Sequence, residues 1–321
     1  MNRFLCALLL AVLALLNLPS YGQVYPVRPV RLIVAFAPGG PIDLLARPVS
    51  QRLTESLGQS FVIDFRTGGN GIIGTEHVAK AAPDGHTLLI FSSGHTINPS
   101  TQRSLPYDTL KDFAAVSPIA RSEFVLIVNP KLPVNTVQEL VALAKSRPGA
   151  LNFSSSGTGG ALHLSGEFLK LAAGIQMTHI PYKGAAPALL EVIAGNADLA
   201  FVAAPPAIPQ IRAGKVRVIG VASARRWSYL PDVPTIDEQG YPGFEVTAGY
   251  GLVAPSGTPG FILSKLNDAM ERILSSPEFP PMLAKMGLDP WYLKPDKLQA
   301  WLSSDVQKWQ RVTKAIKYEP G

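Results

Sequence analysis

The chain has 321 residues, 47% of them hydrophobic, with a formal net charge of +6 and a single cysteine. Its Lys and Arg residues are scattered, with no basic stripe and no interleaved aromatics, which argues against nucleic-acid binding. The cysteine is Cys6, inside the opening apolar run, so the rest of the chain can form neither a disulfide nor a thiolate metal site or nucleophile.

Met1 to Arg3 carries one positive charge, and FLCALLLAVLALLNL follows, apolar apart from Asn17. Ser20 and Gly22 stand at the spacing of a cleavage site. A bilayer span needs about 20 apolar residues, so this shorter run reads as a secretory signal peptide over 1–22, cut near Gly22. Cys6 lies too early for a lipoprotein signal. Loss of Arg3 leaves a mildly basic chain suited to an anionic small ligand. About 300 residues remain, enough for two domains with their own cores. No second stretch is apolar enough to span a membrane.

The next segment is RLIVAFAPGGPIDLLAR. A strand is predicted over Val30–Phe36, then a turn through Pro38, Gly39, Gly40 and Pro41, then a helix over Ile42–Leu57. Pro48 should kink that helix or shorten it. Gly39 and Gly40 let backbone N–H groups approach a ligand. The helix start adds unpaired N–H groups and a partial positive charge. Phe36, Ala37, Gly39 and Gly40 thus outline a carboxylate or phosphate site. Asp43 either caps the helix or receives a ligand amine or hydroxyl.

Further strands are predicted at Phe61–Phe65, Thr87–Phe91, Val125–Val128, Leu151–Ser154, Thr178–Ile180, Leu199–Val202 and Val216–Val221. Helices are predicted at Ile72–Ala81, Val137–Ser146, Leu162–Ala173, Ala186–Ala194, Pro259–Ser275 and Pro295–Ile316. Apolar strands alternating with helices imply an α/β fold with parallel sheets covered on both faces. GNGIIG, Gly69 to Gly74, matches a dinucleotide fingerprint but lacks the acid about 20 residues on that holds ribose. These glycines suit a loop at a cleft rim. FSSGHTINPS reads as a third loop, with Ser92, Ser93, His95 and Asn98 lining the cleft wall.

The strand–glycine loop–helix unit recurs in LNFSSSGTGGALHLSGEFLKLAAG. Ser155, Ser156 and Thr158 offer hydroxyls, and Gly157 and Gly159 expose backbone. His163, in the first helical turn, either bonds the loop or ligand or packs to hold the loop. Two such anion sites on facing lobes would grip a molecule with two acidic ends. Tyr182 and Lys183 precede another helix, and Lys183 is either a counter-charge or a solvated surface lysine. Asp198, at the head of an apolar strand, suits a role in fixing local backbone. Phe113–Pro130 and Pro242–Pro259 are extended enough to cross between lobes. Lobe 1 is then 23–119 with 244–321, and lobe 2 is 120–243, with two strands as the hinge.

No G-x-S-x-G elbow and no H-E-x-x-H occur, and the five histidines are scattered. The residues point to neither a catalytic centre nor a metal. The alternative from a different class is an exported serine hydrolase using Ser154 to Ser156.

YPVRPVRLIVAFAPGGPID, VAKAAPDGHTLLIFSSG, TVQELVALAKSRPGALNFSSSGTGGALHLSGE, HIPYKGAAPALLEVIAGNADLAF, LPDVPTIDEQGYPGFEV and GLVAPSGTP occur in order along the chain. Together they resemble the solute-binding proteins of tripartite tricarboxylate transporters, the Bug or TctC family. The resemblance implies a periplasmic type II binding protein whose two α/β lobes, joined by two crossover strands, close on a ligand like a flytrap. It implies a monomer without cofactor that carries a small organic acid (a di- or tricarboxylate, an acidic amino acid or an aromatic acid) to membrane permease subunits. An orphan receptor feeding a sensor kinase is the second role. In that family the carboxylate is held by the first strand–helix loop and the serine–glycine loop, partly through ordered waters. This maps onto Phe36, Ala37, Gly39 and Gly40, and onto Ser155, Ser156, Gly157 and Gly159. DFRTGGNGIIG and AGYGLVAP depart from the usual family runs, and both regions, Tyr250 included, bear on the distal end of the ligand.

Overall fold

The computed structural model describes residues 24–39 and 41–319. The expected signal peptide and Gly40 lie outside them.

Strand β1 (Val30–Val34) pairs in parallel with β2 (Phe61–Phe65) and β3 (Thr87–Phe91). Helix α1 (Pro41–Leu57) packs over them through Leu45, Ala46, Val49 and Leu53, all fully buried and spaced to share one face. The helix runs unbroken through Pro48. The carbonyl that Pro48 leaves unpaired is that of Leu44, a residue on the exposed side, where water can satisfy it. Helix α2 (Ile72–Ala79) covers the other face, and α3 (Gly94–Thr101) follows β3.

The long strand β4 (Phe113–Val128) then changes partners. From Phe113 to Glu123 it runs antiparallel to β9 (Thr247–Pro255), which itself lies antiparallel to β3. From Phe124 onward β4 pairs with β7 (Leu199–Ala203) and β8 (Arg217–Val221). Beyond β7 come β5 (Asn152–Ser155) and β6 (Thr178–Pro181), both parallel. The second half carries α4 (Val137–Ser146), α5 (Ala161–Ala173), α6 (Ala185–Ala194) and α7 (Ala204–Arg212). After β9 the chain returns to the first half with α8 (Gly260–Leu274), α9 (Phe279–Lys285), β10 (Leu288–Pro290) and α10 (Pro295–Ala315). Strand β10 pairs with β4.

The fold is therefore α/β in two lobes joined by two crossing strands. One expectation is corrected: the sheet is mixed rather than parallel, in the order β2-β1-β3-β9-β4-β7-β5-β6. The two crossing strands run against their neighbours because each passes from one lobe to the other. Leu32, Leu88, Ile90 and Leu252 anchor the core on one side of the crossing, and Val125, Ala200, Val202 and Trp227 on the other. Each large apolar side chain removed from water contributes about 1.5–3 kcal/mol. No helix among the described residues is long and apolar enough to cross a membrane.

Candidate functional site

The first loop leaves β1 through Ala35 and Phe36. Phe36 is partly buried, with its ring laid against Gly71 and Gly94. A Cβ on Gly71 would come within 3.1 Å of that ring, and the φ of +87° there strains any larger residue. Ala37 and Gly39 are exposed, and Gly39 has φ +82°. The Gly39 N–H, one of the candidate anion donors, donates to Asp43 Oδ2 at 2.8 Å. Arg47 clasps the same carboxylate from the next helical turn, with Nη2 3.0 Å from Oδ2 and Nε 2.9 Å from Oδ1. Asp43 is 2% exposed; both hydrogen bonds fall on Oδ2, while Oδ1 has the Arg47 ion pair but no hydrogen-bond partner. Burial alone would raise its pKa, but the Gly39 N–H and Arg47 outweigh it and hold the carboxyl below its ordinary value. Asp43 thus shapes the loop.

A test follows from the sign of that shift. A carboxyl with a folded pKa below its unfolded value stabilises the protein above the unfolded value, and this is lost as pH falls through the folded one. Asp43→Asn should lower stability by about 1–2 kcal/mol at neutral pH, since a charged acceptor is replaced by a neutral one beside a half-exposed arginine. The gap should begin to narrow as pH falls below the ordinary carboxyl value and close only below the lowered folded value, where the wild-type carboxyl is protonated too. Urea midpoints at neutral and acid pH measure this, and a gap unchanged in acid would contradict it.

The glycine run Gly68–Gly74 shapes the rim beside Phe36. Gly68, Gly69 and Gly71 all have positive φ, and Asn70 sits in the left-handed region at φ 52°. Asn70 is held there by Asn98, whose Oδ1 accepts from Asn70 Nδ2 at 2.9 Å and whose Nδ2 donates to the Asn70 carbonyl at 3.2 Å. Asn98, expected on the cleft wall, is 1% exposed and instead holds this rim, while Asn70 does not stand out in the sequence except as a polar residue among glycines.

The expected third loop is a correction. Residues Gly94–Thr101 form helix α3 despite Pro99, because its buried polar side chains are bonded from afar. Thr96 Oγ1 donates to Asp305 Oδ2 of α10 at 2.6 Å. Ser92 is half-buried, and its carbonyl accepts the His95 amide. His95 was expected on the cleft wall but is 3% exposed, between Phe91 and Phe113 at centroid distances of 5.7 and 4.9 Å. Neither ring nitrogen has a hydrogen-bond partner, and burial pushes its pKa down to about 4. Tyr250 is likewise inward: it is 5% exposed in β9, with burial pushing its phenol up to about 12.

The second loop leaves β5. Ser154 and Ser155 are both fully buried. Ser154 Oγ donates to the Ala188 carbonyl at 2.9 Å. Ser155 Oγ lies 2.7 Å from His179 Nε2 and 3.0 Å from the Gly157 carbonyl, and accepts the Gly157 N–H at 3.3 Å. Two serines so enclosed are poorly placed as nucleophiles. Ser156 and Gly157 are partly exposed, with Gly157 at φ +136°. The Gly159 N–H donates to His163 Nδ1 at 3.1 Å, so His163 holds the loop. Tyr182 is half-buried, and its amide donates to the Ser155 carbonyl at 2.9 Å; Lys183 is exposed. The structure adds His179 and Tyr318, which the sequence does not single out. A Cβ on Gly159 would come within 2.6 Å of the Tyr318 hydroxyl and 3.5 Å of Thr101 Cβ.

Helix α3 links the two loops: its first residue abuts Phe36 and its last abuts Gly159. Seven residues at about 1.5 Å each set these ends about 10 Å apart. A cavity of about 660 Å³ opens beyond the α3 C-terminus, lined by Gln102, Tyr107, Thr109, Val306 and Gln310 among others, and contains none of the site residues selected from the sequence. Among the described residues no group of three His, Cys, Asp or Glu could hold a metal.

The profile of the tripartite tricarboxylate transporter family receptor matches residues 45–318. BugT of Bordetella pertussis is 35% identical over 92% of this chain and 91% of its own. The solved structure of R. palustris Rpa4515 with adipate superposes with a TM-score of 0.85 at 37% identity, over 92% of this chain and 100% of that one. MatC from Rhodopseudomonas palustris with bound malate gives a TM-score of 0.78 at 32% identity, over 90% of this chain and 99% of that one.

Proposed function

Because the chain belongs to the tripartite tricarboxylate transporter receptor family, we propose that it captures a small carboxylic acid in the periplasm and presents it to a membrane permease. Members of this family are solute-binding receptors and not enzymes. The observation that carries the carboxylate reading is the pair of glycine loops at helix N-termini, one before α1 and one before α5, with the Phe36 ring and Gly159 against opposite ends of α3. Two similar structures hold carboxylates, adipate and malate. The N-terminal signal sequence supports export, and the net positive charge favours an anion. Phe36, Ala37 and Gly39 form the lobe 1 contact, and Ser156, Gly157 and the Tyr182–Lys183 turn the lobe 2 contact. Lobe boundaries near 119 and 244 place these loops on opposite sides of the crossing.

A melting screen over organic acids tests this. A ligand that binds only the folded state stabilises it by RT ln(1 + [L]/Kd), about 2.7 kcal/mol at 100 times Kd. At least one mono-, di- or tricarboxylate should raise Tm clearly. Stabilisation by neutral sugars or cations alone would sink the reading.

A further inference from the structure

The second loop is held from behind by two histidines arriving from different elements. His163, in the first turn of α5, receives the Gly159 N–H on Nδ1 at 3.1 Å. An accepting Nδ1 carries a lone pair, so the ring is neutral with its proton on Nε2. His179, on β6, sets Nε2 2.7 Å from Ser155 Oγ. The two imidazole centroids are 3.9 Å apart, and Phe153 lies along both, at 6.2 Å from His163 and 4.9 Å from His179.

The charged and titratable groups facing this pair are few. Glu167 Oε1 is 3.7 Å from His163 Nε2, but Lys170 Nζ already holds both Glu167 oxygens at 2.8 Å. The Tyr318 ring stands 6.1 Å from His163. Burial lowers both histidines to about 4, with Lys170 adding to the effect on His163, and His163 the next cause after burial for His179.

We propose that His163 and His179 are positioning residues that hold the loop 155–159 in shape only while both rings are neutral, so that protonation of His163 opens the loop and releases its carboxylate. A protonated Nδ1 is a donor facing the Gly159 N–H, also a donor, and the two must part. Two positive rings at this separation would also repel. The release of a carboxylate rests on the function proposed above; the opening of the loop does not.

The test therefore reads the loop without any acid present. In ¹⁵N-labelled protein at neutral pH, His163 should carry its proton on Nε2. The Gly159 amide should be protected from exchange, and that protection should fall at least about tenfold as pH approaches the ring's midpoint, one unit being a factor of ten in protonation. The Leu252 amide in the core of β9 should keep its protection over the same range, separating loop opening from unfolding. His163→Gln keeps a neutral acceptor and should hold Gly159 protection throughout. A proton on Nδ1 at neutral pH, protection that persists through the ring's titration, or a glutamine variant that loses protection like the wild type would each overturn the proposal. If the variant does not fold, the wild-type tautomer and protection profile still decide. Failure of malate and adipate to bind at neutral pH would count against the function proposed above while leaving these readouts intact.

Discussion

Acidification from neutral pH to about pH 5 should remove about 4 kcal/mol of stability, well before the carboxylates titrate. The sign follows from the histidines. His95 and His163 are both buried, and burial brings each to about 4, against an ordinary value of 6.5. A histidine whose folded pKa lies below its unfolded value binds its proton more readily when unfolded. Stability is therefore full above about pH 6.5, falls as pH drops from there, and levels off near pH 4. At pH 5 the gap is about 1.5 units, or about 2 kcal/mol for His95, and His163 adds a similar amount. His179, partly exposed, contributes less. Urea unfolding at several pH values measures the slope, and His95→Phe should remove roughly half of it, since Phe fills a site already walled by Phe91 and Phe113. Equal midpoints at both ends of that range would show that the rings are protonated in the fold.

Gly166→Ala should cost about 2 kcal/mol and weaken capture as well. Gly166 lies on the buried face of α5, where an added Cβ would stand 2.7 Å from Phe153 Cδ2 and 2.8 Å from its Cζ. Phe153 is fully buried and backed by His163 and His179, so it has no room to turn away. Overpacking of this kind costs about 1–3 kcal/mol or more, which exceeds the helix-propensity gain of about 1 kcal/mol for alanine over glycine. The strained ring sits one residue before Ser154 and under both histidines, so the displaced loop should bind its acid less well even where the protein folds. Gly260→Ala, at a helix start with nothing within 4 Å of the new carbon, is the control and should be neutral. Equal melting temperatures for the two variants would show that α5 can shift to accept the methyl.

Much of this architecture is legible from residue pattern. Short apolar runs mark strands to the residue: Thr87–Phe91 because a strand buried on both faces has little polar content, and the edge strand Phe61–Phe65 through its β-branched and aromatic residues. Helix α3 escapes that reading. Its sequence GHTINPST looks like a loop, and the bonds that make it a buried helix come from Asp305 and Asn70, far away in the chain. Helix α7 hides behind prolines for a related reason, since proline in the first turn needs no amide. At the candidate site, the glycine loops are visible as sequence but their electrostatics are not. That Asp43 and His163 occupy the amides of Gly39 and Gly159 depends on helix geometry four residues on, where either side chain could also have pointed outward.

The place of β9 in the sheet orders events during synthesis. It is an interior strand, with β3 on one side and β4 on the other, yet it is the last of these to emerge. Until residue 255 is available, β3 and β4 have no common neighbour, and their facing edges stay open. Strands β5 to β8 with the second half of β4 need nothing beyond residue 221 to pair. The inserted half of the molecule can therefore assemble while the enclosing half waits for its central strand. Unpaired edges in that interval are sites for wrong association. Holding factors that bind open strand edges should matter most for the segment before Thr247.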